Sequence, residues 1–128
     1  MSLSESYLVE AAQELRNRRR AREHLLDFTT YTYPGYEVNW HHRLLCEHLD
    51  NFATGRDQRL MIFVQPRSGK SELVSRRLPA FILGRDPDAW IIAASYGADL
   101  ARRMNRDVQR IIDSPEYRRL FPNTQLWG

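Results

Sequence analysis

The chain has 128 residues, a formal net charge of +3 and a hydrophobic fraction of 42%. This length suits one domain or part of one, and the apolar content excludes a globally disordered chain. The single cysteine, Cys46, excludes an internal disulfide and a zinc site built from cysteines. The N-terminus is too polar for a signal peptide and no apolar run could span a bilayer, so we expect a soluble intracellular protein.

The first predicted element is a helix over residues 4–28. Its apolar face comprises Leu8, Ala12, Leu15, Leu25 and Leu26. The run NRRRAR lies within this helix and is either a solvated basic surface or a contact to a phosphate backbone. Both interpretations stay open on the sequence.

A loop over residues 28–40 follows, punctuated by Pro34 and Gly35, and then a second helix over residues 39–52. Asn39 is the expected N-cap. The expected inward face of this helix comprises Leu44, Leu45, His48, Leu49 and Phe52. Residues 54–58 form a predicted turn.

Two continuous apolar runs, LMIFV at residues 60–64 and AWIIAAS at residues 89–95, have the length of buried β-strands. A helix begins after the first run, and Pro79 is expected to kink or end it. The order strand, turn, helix, strand, helix is typical of an α/β fold with a parallel sheet.

The last predicted helices cover residues 98–113 and the segment after Ser114 and Pro115, a serine cap followed by a proline at the first position. The inward residues of the longer helix are Ala101, Met104, Val108, Ile111 and Ile112. Its opposite face is a basic stripe of Arg102, Arg103, Arg106 and Arg110. The stripe is either a solvated face with ion pairs such as Asp99–Arg103 or a surface that follows DNA.

Between the first apolar run and its helix lies QPRSGKS, which partly matches the phosphate-loop pattern G-x-x-x-x-G-K-[ST]. Val64 replaces the first glycine. Backbone N–H groups at a helix N-terminus bind phosphate oxygens, and a glycine such as Gly69 allows close approach. Lys70 reaches the β- and γ-phosphates, and Ser71 ligates Mg²⁺. The predicted ATP-binding residues are therefore Gln65, Pro66, Arg67, Ser68, Gly69, Lys70 and Ser71. The alternative is a strand-to-helix turn with a solvated lysine.

Arg67 lies inside this loop, near the expected γ-phosphate. A cation there stabilises charge that develops in phosphoryl transfer, as an arginine finger supplied in cis. The alternative is an exposed arginine or one paired with Glu72. The histidines His41, His42 and His48 lack companion metal ligands, so they are expected to cap or pack rather than to bind a metal.

The stretches PRSGKSEL, LGRDPDAWIIAASYGADLARR and SPEYRRLFP, with HLLDF and WHHRLL upstream, resemble the large terminase subunit of tailed phages and prophages, over about residues 24–124. That resemblance implies an incomplete P-loop NTPase, a three-layer α/β sandwich with N-terminal helices. Residues 1–58 would be the helical region and residues 59–128 the first part of the ATPase domain. Lys70 and Arg67 would be catalytic, and the adenine-contacting segment would lie near residues 36–42.

The same resemblance implies double-stranded DNA, the small terminase subunit and the portal protein as partners, in the cytoplasm of a bacterial host. The Walker B acids and the nuclease carboxylates of the family are absent from the sequence. RIIDSPE, residues 110–116, is rejected as a Walker B strand because its two isoleucines continue the helical spacing. We therefore expect an ATP-binding motor fragment with negligible turnover by itself and a tendency to self-associate. The alternatives are a non-catalytic prophage remnant and a fragment of a helicase-like P-loop NTPase.

Overall fold

The structure, a computed structural model, describes residues 2–127. Helices account for all of the regular secondary structure in that range. The α-helices are α1 (Leu3–Glu23), α2 (Leu25–Thr32), α3 (Trp40–Ala53), α4 (Leu78–Arg85), α5 (Ala98–Ile112) and α6 (Pro115–Leu120), and a π-helix spans Glu72–Arg77. No described helix is both long enough and apolar enough to cross a membrane.

The predicted α/β fold, the incomplete P-loop sandwich, is wrong for this structure, because residues 2–127 contain no β-strand. Residues 60–64 and 90–95 have no regular secondary structure, and their backbone groups make no backbone hydrogen bond within the described range. The two apolar runs also differ from buried strands in exposure, with Phe63 at 84% and Ile92 at 94%. An apolar run predicts burial, whereas a strand also requires a neighbour to pair with.

The single predicted helix over residues 4–28 is two helices with a break at His24, whose backbone is extended (φ −130°, ψ 132°). The break has a tertiary cause, because Asp50 of α3 accepts the Leu25 N–H at 2.8 Å and so caps α2. The predicted apolar face is only partly buried. Leu8 and Leu15 are exposed, whereas Leu25 is in the core.

The core is centred on an aromatic cluster, Phe28, Phe81, Tyr117 and Phe121, that joins α2, α4 and α6. The rings of Phe28 and Phe81 lie 5.4 Å apart, and Tyr117 meets Phe28 edge-on at 5.9 Å. The buried Tyr117 hydroxyl donates to the Ala80 carbonyl at 2.7 Å, so its polar atom is satisfied. The cluster therefore anchors the helical segment that follows the predicted phosphate loop.

That segment is helical from Lys70 to Arg85, so Pro79 does not end it. The turn before the proline is π-helical, and the Leu78 N–H bonds the Leu73 carbonyl, five residues back. Proline has no N–H and its ring clashes with the preceding turn of a regular helix. The predicted end of the helix at Pro79 is therefore not found, and the irregularity of this segment is the π-helical turn Glu72–Arg77 just before the proline. The sequence did not predict that turn.

The C-terminal helices confirm the prediction. Val108, Ile111 and Ile112 of α5 are buried, and Ser114 caps α6 by accepting the Tyr117 N–H at 3.3 Å. Because Ile111 and Ile112 belong to α5, the rejection of RIIDSPE as a strand is also confirmed.

Candidate functional site

The candidate site is the loop of residues 65–71, which follows the apolar run at residues 60–64 and leads into the helical segment that starts at Lys70. Of the expected strand–turn–helix context, the turn and the helix are present and the strand is not. The Leu73 N–H bonds the Gly69 carbonyl at 3.3 Å, so Gly69 already belongs to the first helical turn. Lys70 and Ser71 therefore sit at the beginning of a helix, as the sequence predicts.

Two residues of the loop have left-handed backbone conformations, Arg67 at φ 60° and Gly69 at φ 85°. Gly69 is also tightly enclosed. A Cβ atom there would lie 2.8 Å from His42 Nε2 and 3.0 Å from the Tyr36 hydroxyl. Glycine is therefore required at this position by both backbone and space. The sequence anticipated a close approach to Gly69 by a ligand, and in this structure the groups that approach it are side chains of the chain itself.

His42 connects the loop to the N-terminus of α3. Its Nδ1 accepts the backbone N–H of the N-cap residue Asn39 at 3.0 Å, and its Nε2 lies 2.6 Å from the Ser68 carbonyl oxygen. Because a backbone N–H only donates, Nδ1 is unprotonated and Nε2 carries the hydrogen. His41 Nε2 lies 3.1 Å from the same oxygen. The expected cap role of the histidines is confirmed for His42, and no metal-binding cluster occurs among residues 2–127.

A pocket of about 440 Å³ separates the loop from the chain segment before α3. Its lining residues are Tyr33, Gly35, Tyr36, Glu37, Asn39, His41, His42, Arg67, Ser68, Gly69 and Glu72. The Tyr36 hydroxyl is buried with no hydrogen-bond partner in the described structure, and burial raises the pKa of Tyr36 to about 12. The structure thus brings the predicted phosphate loop and the segment near residues 36–42 to one cavity.

Two cations of the loop have no acidic partner among residues 2–127. Arg67 is exposed and Lys70 half-buried, and neither forms an ion pair within residues 2–127. The alternative pairing of Arg67 with Glu72 is not found, because Glu72 instead binds Arg77 at 2.7 Å and Arg76 at 3.6 Å. The loop therefore presents uncompensated positive charge.

Behind the loop, the ion pairs of Glu72 belong to a network that the sequence did not predict. The buried Arg77 also donates to Thr32 Oγ1 at 2.9 Å, and Arg76 binds Asp107 of α5 at 2.8 Å. The i,i+4 spacing of Glu72 and Arg76 was the one local signal for it. The network holds the π-helix between α2 and α5.

The basic stripe of α5 is exposed. The expected Asp99–Arg103 pair does not form. Asp99 lies instead 3.7 Å from Arg102, and Asp107 lies 3.5 Å from Arg110. Arg103 and Arg106 keep their charges unpaired within the part of the chain that the structure describes. Two of the four arginines of the stripe thus have an acidic neighbour, and the other two have none within the described range.

A comparison with protein families shows to which family the chain belongs. The profile of the N-terminal part of the terminase large subunit, T4likevirus-type, matches residues 61–125, about half of the chain. The chain belongs to this family. No curated protein and no solved structure matches it. The match runs from the first apolar run, through the loop and α5, to the residues just after α6.

The resemblance to large terminase subunits is therefore confirmed. Terminase large subunits act in packaging viral DNA, and this chain is a component of that kind of motor. The helices α1, α2 and α3 lie outside the matched range. Nevertheless, α3 supplies the two histidines that contact the loop of residues 65–71.

Proposed function

We propose that the chain is an ATP-binding part of a viral DNA-packaging motor and that residues 65–71 bind the phosphates of the nucleotide. The observation that carries this proposal is the loop itself, which lies within the family match and leads directly into a helix. The first N–H groups of a helix lack intrahelical partners and bind anions.

The roles of the side chains follow from their chemistry. Lys70 is the only lysine of the chain, and as a compact cation without an acidic partner in the described range it suits the β- and γ-phosphates. Ser71 suits Mg²⁺ that is bound through the nucleotide. Arg67 is exposed beside Lys70 and suits the developing charge at the γ-phosphate. The pocket beside the loop, with Tyr36 and His41 in its wall, suits the base.

Titration of the protein with ATP and Mg²⁺ tests this proposal. We expect Lys70→Ala to lose at least about tenfold in affinity, since one charge-assisted hydrogen bond contributes roughly 1.5–3 kcal/mol. Arg56→Ala is the matched control, because it removes a cation from an exposed turn away from the loop. Equal affinities of the wild type and Lys70→Ala would contradict the proposal and favour a remnant that does not bind nucleotide.

Phosphate release by the wild type and by Lys70→Ala measures ATP turnover. We expect negligible phosphate release, because no carboxylate of the sequence follows an apolar strand where it could orient the attacking water. Steady phosphate release that Lys70→Ala abolishes would overturn this expectation. The alternative of a helicase-like fragment finds no support in the family match.

The partners and the location belong to the same proposal. Double-stranded DNA, a small terminase subunit and a portal protein are the proposed partners, in the cytoplasm of the bacterial host. The exposed arginines of α5 support the first of these, since positive charge on one helix face suits a phosphate backbone.

A further inference from the structure

The Ser68 carbonyl joins the loop to two histidines of α3. Two imidazole nitrogens approach its oxygen, His42 Nε2 at 2.6 Å and His41 Nε2 at 3.1 Å. Ser68 lies between the left-handed residues Arg67 and Gly69. A left-handed arginine is unfavourable by itself and persists only where surrounding contacts hold it. The carbonyl contact to His42 is the contact that can hold this turn.

The His42 ring is itself fixed at both nitrogens. Nδ1 accepts the Asn39 N–H at 3.0 Å at the start of α3, and the ring is only 5% exposed. This leaves Nε2 as the donor to Ser68. His41 differs, because it is half-buried and its Nδ1 forms no hydrogen bond within residues 2–127. Of the two histidines, His42 is thus the one that transmits the position of α3 to the loop.

The consequence for the loop follows from the geometry of the peptide bond. In a trans peptide the C=O and the following N–H point in opposite directions. The Ser68 carbonyl points at the His42 ring, so the Gly69 N–H points away from that ring. Loss of the His42 contact would free this peptide plane to rotate, and with it the direction of the Gly69 N–H.

We propose that His42 is a positioning residue of the phosphate loop, which orients the peptide between Ser68 and Gly69 so that the Gly69 N–H faces a bound phosphate. This inference rests on the proposed nucleotide binding for its effect on affinity. The orientation of the loop by His42 does not depend on any ligand.

Two measurements test the orientation in the free protein. Nitrogen-15 NMR of the histidine rings is expected to show His42 as the neutral form with hydrogen on Nε2. The Gly69 amide resonance is expected to shift strongly in His42→Ala and little in His48→Ala, the matched control, which removes an exposed histidine of α3. A hydrogen on Nδ1 of His42, or an unchanged Gly69 resonance in His42→Ala, would overturn the inference.

ATP titration gives the second readout. We expect His42→Ala to weaken binding about tenfold, the order of one lost hydrogen bond, and His48→Ala, at an exposed position of α3, less than about twofold. His42→Gln keeps an N–H donor and is expected to recover part of the affinity. If His42→Ala fails to fold, the inference is still tested by the ring tautomer of His42 in the wild type and by the ATP affinity of His42→Gln. If the wild type binds no ATP, the proposed function fails, and the NMR measurements judge the His42 inference separately.

Discussion

At the scale of single residues, Gly84 shows how closely the core is packed. It lies in α4, and a Cβ atom there would be 2.4 Å from Cδ2 of the Phe121 ring. That ring belongs to the aromatic cluster and is only 8% exposed, so it has little room to move. The absence of a side chain at Gly84 is therefore a requirement of packing between α4 and the C-terminal segment.

We expect Gly84→Ala to destabilise the protein by about 1–2 kcal/mol. Overpacking of a core costs roughly 1–3 kcal/mol, and replacing a helical glycine by alanine recovers about 1 kcal/mol at most. Urea denaturation measures the change. In a Phe121→Leu background the same substitution should cost less, because the smaller side chain leaves space for the added methyl group. An equal cost in both backgrounds would contradict the contact.

A second prediction at the scale of residues concerns Cys46 and Tyr36, two groups whose pKa is raised in the folded protein. Burial, with the nearby charges of Asp50 and Asp27, raises the pKa of Cys46 from 9.0 to about 12, and burial raises that of Tyr36 from 10.0 to about 12. Between pH 9 and 12 the unfolded chain therefore loses protons that the folded chain keeps. The unfolded state then binds fewer protons, so stability falls as pH rises through this window.

Urea midpoints at pH 8 and pH 11 measure this fall. Cys46→Ala is the control, because it removes one of the responsible groups and should reduce the difference between the two pH values. A stability that does not change between pH 8 and pH 11 would contradict the prediction.

At the scale of elements, α5 carries the basic stripe on the face opposite to Val108, Ile111 and Ile112. Arg102 and Arg110 have acidic neighbours on the same helix, whereas Arg103 and Arg106 have none within the described range. A DNA backbone would gain most from Arg103 and Arg106, since a nearby carboxylate offsets part of the charge of Arg102 and of Arg110.

We therefore expect the double substitution Arg103→Ala and Arg106→Ala to weaken binding of double-stranded DNA. The slope of the logarithm of the binding constant against the logarithm of the salt concentration should fall in magnitude by about 2, close to one per lost phosphate contact. Titration with a DNA duplex at several salt concentrations measures both. Arg56→Ala with Arg59→Ala, at two exposed positions outside α5, is the control of equal charge. If both pairs of substitutions act alike, the stripe of α5 is only a solvated face.

At the scale of the whole molecule, residues 60–64 and 90–95 leave apolar side chains in solvent. Trp90 is 97% exposed and Met61 79%, and the backbone groups of these two segments lack backbone partners within residues 2–127. Contiguous apolar surface and unpaired extended backbone both favour association with another chain. A second copy of the chain is the partner that we propose for this surface.

Sedimentation at low and high protein concentration tests the association. We expect the mean mass to rise with concentration, and Phe63→Ser with Ile92→Ser to restore the monomer. Leu3→Ser is the control, because Leu3 is equally exposed but lies on α1. A wild-type protein that remains a monomer at every concentration would contradict the prediction.

The sequence by itself determined the features that depend on neighbouring residues. Helical periodicity and a serine cap were sufficient to place α5 and α6, and a glycine, lysine and serine in a row were sufficient to locate the loop that opens the next helix. The family resemblance also followed from short stretches of sequence, and the family match confirms it. Each of these signals spans only a few residues, so no knowledge of the fold was needed.

Only the tertiary structure decided the features that join distant residues. The break at His24 depends on Asp50, which accepts a hydrogen bond from the Leu25 N–H and lies 25 residues further along the chain. The loop is held by His42, which contacts the carbonyl of Ser68, 26 residues away. The apolar runs at residues 60–64 and 89–95 were predicted as strands, but residues 2–127 contain no strand. Most side chains of the two runs are exposed, although Leu60 and Ile62 pack against the core. Pairing and caps of this kind are set by which segments meet in space, and local composition does not contain that information.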